Sequence, residues 1–494
     1  MNRLLDLARD GVEKSVPKRI SWHLLFFTAL GATLLQGPWL WAARASWIVL
    51  ALLFMVDFRF ALYAAFFFSG FFHPAGFLKV LPFTLKHFHV ALFLSLLVRL
   101  IRGGVWSDLR STLSGARAFL PIFLILAIGV ADSFMLDYPG KSLRILANLF
   151  LVLVLTCFFM AFLKEELSRS GDFFPLTLGL TYYLGSVCLQ IILGVVNTAA
   201  GTSFLDLTLI HNNHLGILCA LSVFYAMALE AAEKDNALRS VQFGMMVLIF
   251  CGLVASCSRT AWFSFLGAFL PFSVLTRAKV KVFNLPKIFR VRRKFILILL
   301  VGIVALLCAA NNDIFCRVRN LPQLLDPGYW QYTLHDKQNF GCLGIYRLRD
   351  LRVLKHILAE HPVLGVGFPH YITDFHGLLF MLLGATGVVG LALFLFFMQR
   401  RLSGLWSVMW LPQRRGVFFL EIGCFASLLA WMFCSLMETC FLQFFLWIHV
   451  AIACVLAECV RAGKTDVPPE PPGPSPRLRG AALEYLIAEK GQDS

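Results

Sequence analysis

Four groups of polar residues in a strongly apolar chain have types that can act on an anionic substrate. They are Asn213 with His214, Ser258 with Arg259, Arg347, and His376. Arginine binds phosphate oxygens through paired hydrogen bonds and stays charged at every physiological pH. Histidine titrates near neutral pH, so it can take a proton from a hydroxyl group. Together these residue types indicate a phosphate-binding site with a general base beside it.

The residues around Arg347 predict how that arginine is positioned. Apolar side chains follow it at positions 348, 351, 354 and 357, which is the spacing of one helix face. Pro362 ends this amphipathic helix, and Gly365 and Gly367 then favour a tight backbone turn. We therefore expect a short surface helix followed by a glycine turn, with His376 just before the next apolar run.

Each of these residues also has an ordinary structural explanation. Arg259 near a membrane interface can extend to the lipid headgroups, and Arg347 can belong to a solvated helix face. His376 at the start of a helix can serve as a cap. His211 and His214 are ligand types for metals, but no third ligand follows at a diagnostic spacing, so we predict neither a metal site nor a cofactor.

The elements that must position these residues are membrane helices. The chain has 494 residues, 59% of them hydrophobic, and only 15% are charged. Apolar runs of roughly 17–25 residues recur along it, and each is long enough to cross a bilayer as a helix. We place spans near 20–36, 40–56, 60–79, 87–101, 118–136, 145–163, 174–197, 213–230, 240–256, 260–276, 295–310, 376–398, 417–436 and 441–460.

The sequence thus predicts an all-α, polytopic integral membrane bundle with roughly 12–14 transmembrane helices. We divide the chain into a basic N-terminus (1–19), the bundle (20–460) and a Pro-rich tail (461–494). The first apolar run lacks a small-residue cleavage site, so we expect an anchored span there. No internal repeat is evident.

The distribution of charge predicts the topology. The net charge is +16, yet the cations lie between apolar runs, which favours contact with anionic lipid over nucleic acid. The segment Arg277–Lys294 has eight Lys or Arg and no acidic residue, so we assign it to the cytoplasm. The one long loop, at about 311–375, then lies outside, on the same side as all four polar groups.

The thirteen cysteines form no zinc-binding pattern. Most fall within apolar runs, where cysteine behaves as a small apolar residue. Cys316 and Cys342 lie in the outer loop, where an oxidising compartment would allow a disulfide. Whether they form one is left open by the sequence.

In their order and spacing, these motifs resemble the O-antigen ligase and polymerase superfamily of bacterial inner-membrane glycan transferases. The matching stretch covers about 211–392 and includes an arginine some fifteen residues before a His-Pro pair, followed by Gly-x-Gly-Phe, a histidine and a Gly-Val-Val-Gly run. Two positions depart from the family pattern. Gly377 replaces an asparagine after the histidine, and Ala385 replaces an acidic residue before Gly387.

The resemblance implies a mechanism. The donor would be a glycan on undecaprenyl diphosphate, with its diphosphate held by Arg259 and Arg347. His376 would deprotonate the acceptor hydroxyl for inverting attack, without metal or cofactor. Further substrate contacts are expected from a polar set of residues near these three. That set comprises Asn213, His214, Ser258, Gly365 and Gly367.

The resemblance leaves the acceptor open. Lipid A–core, as in a ligase, is the acceptor we favour; a growing lipid-linked glycan, as in a polymerase, or a protein hydroxyl are the alternatives. The site would face the periplasm from the bacterial inner membrane. A membrane transporter or a lipid-handling scaffold is the alternative of a different class, and Glu421 and Asp132 are the acidic residues nearest to mid-span.

Overall fold

The structure is a computed structural model. It describes residues 16–33, 40–70, 78–80, 83–85, 87–101, 112, 115–134, 139–199, 212–233, 235–256, 258–280, 346–368, 377–411, 415–438 and 444–463. Most of the basic N-terminus and of the Pro-rich tail lies outside this range. So do the expected span at 295–310, His376, and both Cys316 and Cys342.

Helices account for nearly all of the described chain, as the sequence predicts. Fourteen α-helices are described, and a short 3-10 turn precedes the fifth. They are α1 (Val16–Ala32), α2 (Leu40–Val56), α3 (Arg59–Gly70), α4 (His87–Ile101), α5 (Leu120–Ser133), α6 (Pro139–Ser170), α7 (Phe174–Ala199), α8 (Asn212–Ala232), α9 (Asn236–Ala255), α10 (Arg259–Val280), α11 (Tyr346–Glu360), α12 (Leu378–Met409), α13 (Arg415–Ser435) and α14 (Phe444–Arg461).

The helices form a polytopic membrane bundle. Six of them contain stretches long and apolar enough to cross a bilayer, and four shorter apolar helices accompany them. The stretches belong to α6, α7, α8, α9, α12 and α13. Large apolar side chains such as Leu266, Leu270 and Val274 are well exposed along one face of α10, as expected where a helix meets lipid.

One predicted span is wrong at its C-terminal end, residues 78–79. The apolar run at 60–79 begins as α3, but that helix ends at Gly70. Residues 78–80 (β1) instead pair antiparallel with residues 83–85 (β2), with Leu78 opposite Leu85. The β-branched and aromatic residues of this hairpin suit a strand as well as a helix, so hydropathy alone could not separate the two.

The core of the bundle surrounds α13. This helix packs against α8 and α10, and most of its residues are fully buried. Close approach to α8 depends on Gly423, where a Cβ would lie 2.7 Å from the Cβ of Ala228. The indoles of Trp431 and Trp447 meet edge to face at 5.5 Å and join α13 to α14. Helix α13, which helps to build the candidate site, is therefore fixed by packing against α8, α10 and α14.

The contacts between helices define two ends of the bundle. At one end, which we call the site end, the start of α8 meets the start of α10, and Leu378 N–H donates to the Glu438 carbonyl at 3.2 Å. At the other, which we call the basic end, Lys164 pairs with Glu458 at 2.6 Å. Arg461 there donates to the Gly404 carbonyl at 3.1 Å.

Candidate functional site

The turn between α9 and α10 holds Ser258 in a fixed, buried position. Ser258 Oγ accepts the N–H of Ala261 at 3.3 Å and so caps the first turn of α10. Ser258 N–H in turn donates to Ser256 Oγ at 3.3 Å. The side chain is only 1% exposed. Because the cap fixes where the helix begins, it also fixes the backbone of Arg259, the first residue of α10.

The start of α8 lies against this turn. A Cβ added at Gly216 would lie 2.5 Å from Ser256 Oγ and 2.9 Å from Ser258 Cβ. Only glycine allows so close an approach, and the sequence analysis did not single out this residue. Asn213 and His214 lie within one turn of it in α8, and His214 is half-buried. The structure thus brings two of the sequence-predicted groups together.

The C-terminal end of α13 joins a third group to these two. The rings of Phe263 in α10 and Phe433 in α13 meet edge to face at 5.7 Å. Three to five residues beyond Phe433, α13 and the turn after it reach the start of α12, where a Cβ added at Gly377 would lie 2.7 Å from the Leu436 carbonyl oxygen. Gly377 is the residue that directly follows His376 in the sequence.

The glycine turn predicted after Pro362 is present, and it docks into a break in α12. Gly365 and Gly367 have φ of 74° and 81°, in the left-handed region that favours glycine. Inside α12, Gly387 has φ 62° and ψ −163°, which interrupts the helix. A Cβ on Gly365 would lie 2.5 Å from the Gly384 carbonyl oxygen, and one on Gly387 would overlap the Val363 carbonyl.

Four backbone hydrogen bonds join the turn to the break. Val366 N–H donates to the Gly384 carbonyl at 3.0 Å, and Gly367 N–H donates to the Ala385 carbonyl at 2.8 Å. In the opposite direction, Val388 and Val389 donate to the carbonyls of Pro362 and Val363 at 3.0 and 3.3 Å. The turn therefore replaces the intrahelical bonds that the break removes, as an apolar environment requires.

Two glycine motifs that are distant in sequence thus form one structural unit, which we call the docked turn (residues 361–368 with 384–390). Gly390 belongs to it because a Cβ there would overlap the Thr386 side chain. Phe368 at its edge is 2% exposed and packs on Gly129 of α5, where a Cβ would lie 2.7 Å from the ring. The described contacts of Gly365 and Gly367 are structural, and their predicted contact with substrate stays a prediction.

Helix α11 leads directly into the docked turn, as the periodicity predicts. Leu354 and Ile357 are 5% and 6% exposed and pack into the core, while Lys355 points outward. Arg347 is the second residue of this 15-residue helix, at the end away from the docked turn. The docked turn therefore fixes the position of α11, which carries Arg347, relative to α12, which begins two residues after His376 in the sequence.

The structure gives the backbone but not the side-chain placement for three predicted residues. Asn213, Arg259 and Arg347 each lie in the first turn of a described helix, and their side chains lie outside the described part of the structure. His376 lies outside it entirely. Within the described residues, no three His, Cys, Asp or Glu side chains come together as metal ligands.

A second polar cluster, not predicted from the sequence, lies inside the bundle. His449 Nε2 lies 3.3 Å from Tyr183 Oη, and His449 Nδ1 lies 3.2 Å from Ser427 Oγ. Ser222 Oγ lies 2.9 Å from Tyr183 Oη, and Tyr225 stacks on the imidazole at 5.2 Å. These side chains come from α7, α8, α13 and α14 and are all buried. Because they alternate with apolar neighbours along helices, no sequence motif marks them.

Comparison with known proteins returned no match to this chain, either from models of protein families or among curated proteins. The resemblance to the O-antigen ligase and polymerase superfamily remains a prediction based on the order of the motifs.

Proposed function

We propose that this membrane protein transfers a glycan from a lipid-linked diphosphate to an acceptor hydroxyl at the site end of the bundle. One observation carries the proposal: the start of α8, the start of α10 and Gly377 all meet at the C-terminal end of α13. Asn213 and Arg259 therefore lie in the first turns of helices at the same end as Gly377, the residue that follows His376 in the sequence. An arginine and a histidine at one end of a membrane bundle suit a diphosphate donor and a hydroxyl acceptor.

The residues have complementary roles in the proposed reaction. Arg259 and Arg347 bind the diphosphate oxygens and stabilise the negative charge that develops on the leaving group. His376 takes the proton of the acceptor hydroxyl as its oxygen attacks the anomeric carbon. The bond from that carbon to the diphosphate oxygen breaks, and the configuration is inverted. Because the arginines neutralise the diphosphate, the reaction needs no metal ion.

The surface around the docked turn is suited to a lipid-linked donor. Val363, Leu364 and Val388 lie together at the junction and are 58%, 47% and 55% exposed. An apolar strip of this kind can contact the polyprenyl chain of the donor, while the basic helix α11 lies beside it. The expected contacts from Asn213 and His214 would then be made to the sugar or the diphosphate. Ser258, which is buried and caps α10, would act by positioning Arg259.

For the acceptor we propose lipid A–core, with the reaction on the periplasmic face of a bacterial inner membrane. A growing lipid-linked glycan and a protein hydroxyl would use the same chemistry, since each supplies a hydroxyl for the same base. Gly377 bears on this choice. Asparagine at this position in the family pattern can orient a sugar, and glycine has no side chain to do so.

A second candidate function, transport across the membrane, is favoured by the buried polar cluster around His449. Ionisable side chains inside a membrane bundle are costly and usually mark a transport path or a proton relay. Glu421, fully buried in α13, lies six residues before Ser427, toward the basic end. The two serine hydroxyls of the cluster donate to backbone carbonyls of α8. Ser222 Oγ lies 2.6 Å from the Leu218 carbonyl, and Ser427 Oγ lies 3.2 Å from the Leu221 carbonyl.

The deciding experiment is a transfer assay with purified protein and an undecaprenyl-diphosphate oligosaccharide, with and without lipid A–core. We expect glycan on lipid A–core with the wild-type protein and none with His376→Ala. His356→Ala is the matched control, because His356 is an exposed histidine of α11 that pairs with the neighbouring Glu360. Longer lipid-linked chains without acceptor would instead indicate a polymerase. Transfer that survives His376→Ala would overturn the proposed base.

A further inference from the structure

The basic end of the bundle holds two arginines that bridge α12 and α14. Arg401 donates to the Ala118 carbonyl at 2.6 Å and to Cys454 Sγ at 3.2 Å. Arg461 donates through Nη2 to the Gly404 carbonyl at 3.1 Å and to Ser407 Oγ at 3.0 Å. Arg401 and Gly404, whose carbonyl accepts from Arg461, lie within one turn of α12. The guanidinium groups of Arg401 and Arg461 therefore lie at similar heights along this helix.

Two further arginines lie beside these. Arg400 is exposed, and its guanidinium carbon lies 5.6 Å from the centre of the Phe396 ring. It precedes Gly404 by four residues and Ser407 by seven, so it shares their face of α12. Arg117 is exposed one residue before Ala118, whose carbonyl accepts from Arg401. We call this group of four arginines (117, 400, 401 and 461) the basic cluster.

The basic cluster differs from Arg59, Arg99 and Arg169 at this end because no described carboxylate pairs with it. Arg59 pairs with Asp57 at 3.1 Å, and both Arg99 and Arg169 pair with Glu165. In the described part of the chain, the acidic residue nearest to the cluster along α14 is Glu458, which pairs with Lys164. The described hydrogen-bond acceptors of the cluster are carbonyl, thiol and hydroxyl groups, which carry no negative charge. The four positive charges are therefore not compensated by these groups, and together they attract an anion.

The side chains around the cluster are those of a membrane interface. Trp406 and Trp410 are 44% and 49% exposed and meet edge to face at 5.5 Å. Leu411, just beyond the end of α12, is 42% exposed. Exposed tryptophans of this kind lie at the level of the lipid headgroups. A soluble anion would gain nothing from these apolar surfaces, whereas a lipid would contact them with its acyl chains.

We propose that the basic cluster binds the headgroup of an anionic phospholipid at the basic end of the bundle. Guanidinium groups bind phosphate oxygens bidentately, and the attraction is strongest where arginine lies close to a negatively charged leaflet. The exposed Arg117, Arg400 and Arg461 would contact the phosphate, and Arg401 adds its charge from inside the bundle. The site is independent of the proposed glycan transfer, which takes place at the opposite end.

Native mass spectrometry of the purified full-length protein in mixed micelles tests the proposal. The probes are phosphatidylglycerol and phosphatidylcholine at equal concentration. We expect wild-type protein to retain the anionic lipid preferentially. Each arginine near an anionic surface contributes about fivefold in affinity, so Arg400→Gln with Arg461→Gln should weaken retention of phosphatidylglycerol by about 25-fold. Equal retention of the two lipids by wild-type protein would overturn the proposal.

Matched controls separate this site from general attraction. Arg59→Gln and Arg169→Gln remove charges from the same end, but each of these arginines already has a carboxylate partner, so retention should be unchanged. A loss equal to that of the double variant would overturn the proposal. Salt titration of the wild-type protein needs no variant, and preferential retention should fall as salt rises. Displacement by inorganic phosphate at equal concentration would show a site for free anions and would also overturn it.

Discussion

Gly387 is the residue whose backbone conformation the docked turn most depends on. A side chain there would be strained at φ 62° and would overlap the Val363 carbonyl. We expect Gly387→Ala to lower the free energy of unfolding by at least about 1–3 kcal/mol from backbone strain alone. Thermal unfolding in detergent, followed by tryptophan fluorescence, would measure the loss.

The matched control is a helical glycine in open surroundings. A Cβ at Gly244 in α9 would meet no atom within 4 Å, so Gly244→Ala should be neutral or stabilising by up to about 1 kcal/mol. If the two variants unfold at the same temperature, the docked turn contributes nothing to stability, and the positive φ at Gly387 would need another explanation.

At Arg259 the proposed reaction should depend on whether the positive charge is a guanidinium or an ammonium group. Lysine keeps the charge but replaces a planar fork with a single ammonium group. If Arg259 holds the diphosphate, Arg259→Lys should lower the rate of transfer at least about tenfold, since losing a charge-assisted hydrogen bond costs roughly 1.5–3 kcal/mol. The measurement is initial rate against donor concentration, with the surface substitution Arg169→Lys as control.

At the level of elements, α11 is the helix whose docking should matter for the site. Ile357 is 6% exposed and faces the core, and Leu351 in the same helix is 44% exposed. We expect Ile357→Ala to loosen α11 at a cost of about 2–4 kcal/mol, and Leu351→Ala to have little effect. Tryptic cleavage within α11 of the protein in micelles should therefore become faster in the first variant only.

The sequence predicts α11 well because its signals are local. Apolar positions at helical spacing and Pro362 together specify where the helix begins and ends. The break in α12 could not be predicted in the same way. Gly387 lies in an uninterrupted apolar run, where hydropathy favours one continuous helix, and the groups that compensate the break come from residues 362–367. Long-range backbone pairing of this kind leaves no periodic pattern.

For the whole molecule, charge and hydropathy predict the bundle and its two ends. Arg259 begins α10, which has 22 residues and is about 33 Å long, and the basic segment Arg277–Lys294 begins within its last turn. Arg259 and Arg277 therefore lie at opposite ends of α10, as the charge distribution indicates. The hairpin at 78–85 and the His449 cluster were not predicted, because both depend on contacts between elements rather than on composition.

The orientation of the two ends in the membrane follows from the same charges and can be tested directly. In a variant with the thirteen native cysteines replaced, a cysteine at His361 should react with a membrane-impermeant maleimide in spheroplasts. His361 is the exposed first residue of the docked turn, and Asp172, between α6 and α7 at the basic end, is exposed as well. A cysteine at Asp172 should react only after permeabilisation, because the charge distribution predicts that the basic end faces the cytoplasm. The reverse pattern would put the site end in the cytoplasm, where a donor presented from the outer leaflet could not reach Arg259, and glycan transfer as proposed would fail with it.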